Sequence, residues 1–185
     1  MITFKDLVSQ IIVNSNLVEN NIALAKVKKV EEQEQFKFPT DYVKFIRFYG
    51  TGRLSQLLWI LNPLSEYDRF NLLAFLTNQK QVFDQLKREY DAKYLYKLFQ
   101  NKVGLLPFAF TDNGDTIYWN IKDISEEFYS IIILDGRSMK SEEHNVSFVE
   151  FLDKFLNKSL NSAIILNEDI ISKSFDPLDK RNFNV

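Results

Sequence analysis

Apolar side chains recur at helical spacing along the chain, most clearly between residues 40 and 50. Four apolar positions there follow the i, i+3, i+4, i+7 spacing of one helix face: Tyr42, Phe45, Ile46 and Tyr49. Thr40 is a suitable N-cap for this helix, and Gly50 is a natural residue to follow its last turn. The pattern therefore predicts a helix that begins at about Thr40 and ends at Tyr49.

The same periodicity predicts further helices before and after this one. They cover about residues 4–12, 20–35, 68–90, 94–99 and 147–156. In the last of them Ser147 is followed three residues later by Glu150, which is the pattern of a capping box. We therefore expect Ser147 to be the N-cap of that helix.

Strand patterns dominate the middle of the chain, where residues 105–121 have the pattern of a hairpin closed at Asn113-Gly114. A two-residue turn there pairs residues whose numbers add up to 227. The resulting pairs are apolar on both strands: Phe110 with Ile117, Phe108 with Trp119, and Leu106 with Ile121. The alternate positions are smaller or more polar, so this register predicts a sheet that is packed on one face only.

Two further strands are expected at residues 57–61 and 128–134, and the polar stretch 137–145 is predicted to be a loop. Residues 161–185 show little periodicity and are expected to form a docked irregular tail. No repeat or low-complexity segment divides the chain, and 185 residues are close to the usual size of one domain. We therefore expect residues 1–185 to form a single domain.

Composition adds a large aromatic core to this picture, because the chain has 17 Phe, 8 Tyr and 2 Trp but only 5 Gly. The chain has no Cys, which excludes disulfides and thiol chemistry and fits a reducing compartment. Its longest apolar runs are far shorter than a membrane span, and its N-terminus lacks a signal-peptide pattern. We expect a cytoplasmic protein without a membrane partner.

Charge is unevenly distributed along the chain. The net charge of −2 argues against direct binding to nucleic acid, which usually requires a basic excess. Residues 112–153, however, contain ten acidic and three basic residues and so carry a charge of −7, whereas the rest of the chain carries +5. This acidic stretch is either a docking face for a basic partner or a set of solvated carboxylates.

Catalytic and metal-binding motifs are weak or missing in the sequence. The single histidine, His144, follows Glu142 and Glu143, so a three-ligand cluster is conceivable, although a solvated loop residue explains it as well. Gly50-Thr51-Gly52 follows a predicted helix, whereas a phosphate-binding loop opens one. Asp112-Asn113-Gly114-Asp115 lacks the spacing of a calcium loop, and a hairpin turn explains it. We predict no enzymatic activity, no metal and no cofactor.

Three motifs follow one another along the chain, at residues 27–52, 106–119 and 147–152. The first is a helix ending in Val30-Glu31, then Phe38-Pro39 and a Tyr-x-x-Phe helix with a glycine turn. The second is the central hairpin, and the third is the closing Ser-Phe-x-x-Phe-Leu helix. In this order the motifs resemble the SUKH superfamily, which includes yeast cell-wall glucan-synthesis regulators and bacterial toxin-immunity proteins.

The resemblance implies an α+β fold in which helices pack against a mostly antiparallel sheet, with a core at about residues 20–160. It also implies a bacterial immunity protein that binds and neutralises a cognate toxin, often a nuclease, without catalysis of its own. Such a toxin would be basic because it must hold phosphates. We expect electrostatic contacts from the acidic stretch and one aromatic anchor, and the candidates are Asp112, Asp115, Glu126, Glu127, Glu142, Glu143 and Tyr118.

Two other functions stay open at this point. A regulatory or scaffolding module of the same fold, tied to cell-wall synthesis or signalling, would have no toxin partner. An enzyme would require His144 and the neighbouring acids to converge in a cleft. The sequence does not define the oligomeric state.

Overall fold

Helices and strands are both present in the computed structural model, which describes residues 2–13, 24–89, 96–124 and 128–178. Five α-helices lie in these ranges: α1 (Phe4–Gln10), α2 (Leu24–Glu34), α3 (Thr40–Tyr49), α4 (Leu72–Glu89) and α5 (Phe148–Leu156). The strands there are β1 (Ile12–Val13), β2 (Gly52–Leu54), β3 (Leu58–Ile60), β4 (Gly104–Thr111), β5 (Thr116–Ile121), β6 (Ser130–Leu134), β7 (Ser141–His144) and β8 (Ser174–Pro177). A short 3-10 helix occupies Asn167–Asp169.

The strands form one sheet in the order β1-β8-β2-β3-β4-β5-β6-β7. Neighbours are antiparallel except for β1 and β8, which are parallel. The predicted α+β fold with a mostly antiparallel sheet is therefore confirmed.

The hairpin between β4 and β5 is present, but its predicted register is wrong. Thr111 accepts a hydrogen bond from Gly114 N at 3.1 Å and donates its own N–H to Asp115 O at 2.9 Å. Gly114 has a φ of 97°, so the connection is a three-residue loop with a glycine bulge rather than a two-residue turn. Together with a β-bulge further along β4, this loop makes Leu106 pair with Trp119 instead of Ile121.

A β-bulge at Phe108 changes the sheet face toward which the following side chains of β4 point. The register shifts between Pro107 and Ala109, so two residues of β4 oppose one residue of β5. Phe108 stays beside Trp119, with 4.7 Å between their ring centroids. Phe110 turns to the opposite face, where its ring lies 5.3 Å from Phe75 of α4.

Helices cover both faces of the sheet, so the prediction of a sheet packed on one face is also wrong. Trp119 contacts Tyr42 of α3 at 4.8 Å between ring centroids. Its neighbour Tyr118 points the other way and donates its hydroxyl hydrogen to Gln79 of α4 at 3.5 Å. The expected aromatic core is divided between these two layers.

The motif helices follow the sequence signals closely. α3 ends at Tyr49 as predicted, and Gly50 follows with a φ of 73°. Its N-cap is Pro39 rather than Thr40. Ser147 caps α5 by accepting a hydrogen bond from Glu150 N at 3.3 Å, while the Glu150 side chain pairs with Lys154 at 3.5 Å.

The predicted irregular tail contains a strand in its described part, and residues 179–185 lie outside the described ranges. β8 inserts between β1 and β2, and its Phe175 is fully buried against Phe45 and Tyr49 of α3. Gly52 makes this possible, because a Cβ atom there would lie 2.4 Å from the Phe175 ring. A short strand with alternating polar residues leaves no recognisable sequence pattern, which explains the error.

The helix predicted over residues 94–99 is wrong for its described part. Leu98 forms a parallel bridge with Leu105, and Phe99 N donates to Leu105 O at 2.9 Å, so this stretch runs extended beside β4. Residues 94 and 95 lie outside the described ranges. Within those ranges, no helix combines the length and the apolar character that are required to cross a bilayer.

Candidate partner-binding surface

The two aspartates of the hairpin turn hold the turn in place. Asp112 accepts hydrogen bonds from the indole of Trp59 at 2.7 Å and from the guanidinium of Arg53 at 3.0 Å. Asp115 is buried, and its carboxylate accepts from the Thr111 hydroxyl at 2.8 Å. Asp112 is thus exposed but paired with a cation, and Asp115 is not available to a partner.

The turn between β6 and β7 lies directly against the hairpin turn. The Arg137 guanidinium donates to Asn113 O at 3.5 Å, and a Cβ atom on Gly136 would lie 2.2 Å from Gly114 O. The Asp135 carboxylate accepts hydrogen bonds from the Ser138 hydroxyl and from Arg137 N, the latter at 2.8 Å, and these bonds, the Ser138 one foremost, lower its pKa. The two turns therefore form one end of the sheet, where arginines as well as aspartates are present.

β7 separates the adjacent glutamates that the sequence suggested as a pair. The stretch was expected to be a loop, but Ser141–His144 is an edge strand, where exposed polar residues are ordinary. Alternate residues of a strand point to opposite faces, so Glu142 and Glu143 point away from each other. A single acidic patch cannot contain both side chains.

Each of these glutamates has its own structural partners. Glu143 accepts from the Ser130 hydroxyl at 2.5 Å and Asn120 Nδ2 at 3.1 Å, and these bonds, more than nearby Lys122, lower its pKa. Glu142 accepts from the backbone N–H groups of Ala163 and Ile164, each at 3.1 Å. Glu142 therefore holds the chain that follows α5, and Glu143 joins three strands.

His144 does not assemble with the acids into a site. It lies on the same strand face as Glu142, while Glu143 is on the other face. Burial is the main cause that lowers the His144 pKa, and its Nε2 has no hydrogen-bond partner among the described residues. In the part of the chain that the structure describes, no three His, Asp or Glu side chains are grouped to hold a metal ion.

Tyr118 cannot be an accessible aromatic anchor, which corrects its place among the candidates. The side chain is fully buried between the sheet and α4, and this burial raises its pKa well above the usual value. Glu126 and Glu127 lie outside the described residues. The described candidates thus occupy separate places rather than one continuous acidic face.

An accessible apolar surface lies at the other end of the sheet, where β5 leads into β6. Ile124 is 37% exposed and Phe128 is 44% exposed, although most large apolar side chains in the described ranges are buried. Along the chain these two residues stand on either side of the acidic pair at 126–127. We call the region around Ile124 and Phe128 the β5–β6 surface.

Two concavities adjoin the β5–β6 surface. A groove of about 550 Å³ lies between Ile124 and α2, with Phe36 in its wall. A pocket of about 240 Å³ lies beside Phe128, between the starts of α3 and α5. Tyr129 connects the two, since its ring is 5.6 Å from that of Phe36.

One local and one long-range hydrogen bond hold the walls of these concavities. The Glu31 carboxylate accepts from Phe38 N at 2.9 Å, which fixes the turn from α2 to α3. The Asp41 carboxylate accepts from Val149 N at 3.0 Å, which ties the start of α3 to the start of α5. The sequence did not predict this surface, because the surface forms only when these segments meet. Its one signal in the sequence is that apolar Ile124 and Phe128 stand on either side of the acidic pair at 126–127.

The segments that build this surface also carry the family signature. The model of the SMI1 / KNR4 family (SUKH-1) matches residues 21–154, well over half of the chain. The chain belongs to the SMI1 / KNR4 family (SUKH-1). No curated protein and no solved structure matches it. The SUKH-1 match begins before α2, ends within α5 and so includes both concavities.

Proposed function

We propose that this SUKH-1 chain is a non-enzymatic immunity protein that binds and neutralises a cognate toxin domain through the β5–β6 surface. The observation that carries the proposal is the exposure of Ile124 and Phe128 beside two concavities. Both concavities are lined by residues within the part of the chain that the family model matches. Residues that would form the centre of a protein interface are apolar or aromatic and lie next to pockets.

The sequence around these side chains supports a basic partner. Exposed Asp123 precedes Ile124, and Glu126 and Glu127 separate it from Phe128. An apolar centre with acids beside it would attract a basic protein and orient it, and nuclease toxins are basic because they bind phosphates.

Binding fits the structure better than catalysis does. His144 and Glu143 are on opposite faces of the sheet, so the histidine and the neighbouring acids do not converge in a cleft. The carboxylates of Glu142 and Asp115 are used in structural hydrogen bonds.

Co-expression with a toxin domain encoded beside this gene tests the proposal. We expect the chain to restore growth and to elute from gel filtration in a complex with the toxin domain. No rescue and no complex would contradict immunity. Recovery of the chain with a cell-wall synthesis or signalling protein instead would favour the regulatory alternative.

Charge reversal at positions 126 and 127 separates the contribution of these acids to toxin binding from that of the apolar contacts. We expect the Glu126→Lys/Glu127→Lys variant to slow association with the toxin domain and to weaken its dependence on salt. The matched control is Glu66→Lys/Glu168→Lys, which reverses two exposed acids elsewhere. Equal effects of the two double variants would show that only net charge matters.

A further inference from the structure

Charge on α2 is distributed symmetrically about the middle of the helix. Lysines occupy positions 26, 28 and 29, and glutamates occupy positions 31, 32 and 34, so Val30 stands at the centre. Each lysine has a glutamate at the same number of residues on the other side of Val30. When two copies of such a helix lie antiparallel about a two-fold axis at Val30, each lysine lies level with a glutamate of the other copy.

Lys28 and Glu32 are the symmetric pair on the side of α2 that faces the groove beside Ile124. They stand four residues apart and therefore lie on one face of the helix, and both are exposed and line this groove. Neither belongs to an ion pair within the described ranges. A lysine placed before a glutamate is also the less favourable order for pairing inside one helix. Both side chains are thus available to a second copy.

An exposed leucine on the same face of α2 matches an apolar part of the groove. Leu24 is 41% exposed and stands about one turn before Lys28. Phe36 follows the last turn of α2 and lines the groove together with Ile124, which is 37% exposed. Positions 24 and 36 are symmetric about Val30, just as positions 28 and 32 are. One antiparallel register therefore pairs the charges and brings Leu24 of one copy to the groove of the other.

We propose that a second copy of this chain docks antiparallel on this face of α2, with Lys28 beside Glu32 of the other copy and Leu24 in the other copy's groove. Two-fold symmetry repeats both contacts, so the burial of two leucine side chains adds to two ion pairs. One helix from each copy makes a small interface, which gives a weak and reversible dimer. Ile124 also belongs to the β5–β6 surface, so a bound toxin would displace the second copy. That displacement rests on the proposed function, whereas self-association does not.

Charge exchange between positions 28 and 32 tests the pairing on the free chain, by sedimentation equilibrium over a range of concentrations. Lys28→Glu sets like charges against each other at both symmetric contacts, and Glu32→Lys does so with the opposite sign. We expect each single variant to weaken self-association by about tenfold and the double variant Lys28→Glu/Glu32→Lys to regain it. An equimolar mixture of the two single variants should form a heterodimer, because each contact then joins opposite charges.

Lys26→Glu and Glu34→Lys are the matched controls, because these positions are also symmetric about Val30 but do not line the groove. We expect no effect from either. Leu24→Asp should also weaken self-association about tenfold, whereas Ile171→Asp, at a residue that is 72% exposed, should leave it unchanged. The proposal is overturned if the natural chain stays monomeric, if charge exchange restores nothing, or if the controls weaken self-association equally. No toxin is present, so this result and that of the rescue experiment are independent.

Discussion

The carboxylate of Glu31 accepts a hydrogen bond from the backbone N–H of Phe38 at 2.9 Å, across the turn between α2 and α3. Phe36 N donates to the backbone carbonyl of the same glutamate at 3.0 Å. One residue at the end of α2 thus satisfies two backbone donors of a turn that lacks regular structure. This contact gives a physical reason for a glutamate before an apolar-Pro step in the sequence.

Replacement of Glu31 by Ala should destabilise the fold, because it leaves the N–H of Phe38 without its acceptor. We expect a loss of about 1–3 kcal/mol in the free energy of unfolding, with a smaller loss for Glu31→Gln, which keeps an acceptor oxygen. Urea denaturation measures the change. The control is Glu32→Ala, an exposed neighbour on the same helix, and equal losses for the two alanine variants would contradict the role of Glu31.

Gly52 should tolerate no side chain, because β8 lies too close. A Cβ atom there would be 2.5 Å from Asp176 O as well as 2.4 Å from the Phe175 ring, so the backbone of β8 must move. We expect Gly52→Ala to cost about 1–3 kcal/mol of stability, as overpacking usually does. Amide hydrogen exchange at residues 174–176 should accelerate in this variant, and unchanged exchange would contradict the insertion of β8.

The hairpin glycine offers a matched comparison for Gly52. Gly114 has a φ of 97°, but a Cβ atom added to it would meet no other atom within 4 Å, so alanine there experiences conformational strain without a clash. We expect Gly114→Ala to leave exchange in β8 unchanged. Acceleration in both variants would indicate general destabilisation instead of a local clash.

The main helices and the hairpin could be predicted from the sequence, because their apolar spacing and caps are local signals. The register of the hairpin could not, because the bulge at Phe108 and the glycine loop at Gly114 add residues that the alternation does not show. These two features turn Phe110 toward α4 and allow helices on both faces.

The candidate site was harder to predict than the fold for a geometric reason. Glu142 and Glu143 are adjacent in the sequence, but a strand sends them to opposite faces. Tyrosine is a residue type that often anchors protein interfaces, but α4 covers Tyr118. The pocket beside Phe128 depends on the meeting of α3, α5 and the end of β5, which no single stretch of sequence encodes.

His144 should make stability depend on pH in the weakly acidic range. Its folded-state pKa is lowered from 6.5, mainly by burial, so the unfolded chain binds a proton more readily. The stability linked to neutral His144 is therefore present above pH 6.5 and is lost as pH falls through the lower folded-state pKa. Thermal unfolding at pH 7.5 and pH 5.5 should show a smaller drop for His144→Gln than for the natural chain, and equal drops would contradict this role.

The affinity of the purified chain for its cognate toxin domain tests the central claim most directly, with one substitution on each side of the molecule. Phe128→Asp alters the β5–β6 surface, and Val82→Asp alters a comparably exposed apolar residue on α4, which is 49% exposed. We predict that Phe128→Asp weakens binding by about tenfold or more while Val82→Asp leaves it unchanged. Unchanged binding in Phe128→Asp, or an equal loss in Val82→Asp, would contradict a partner site at the β5–β6 surface.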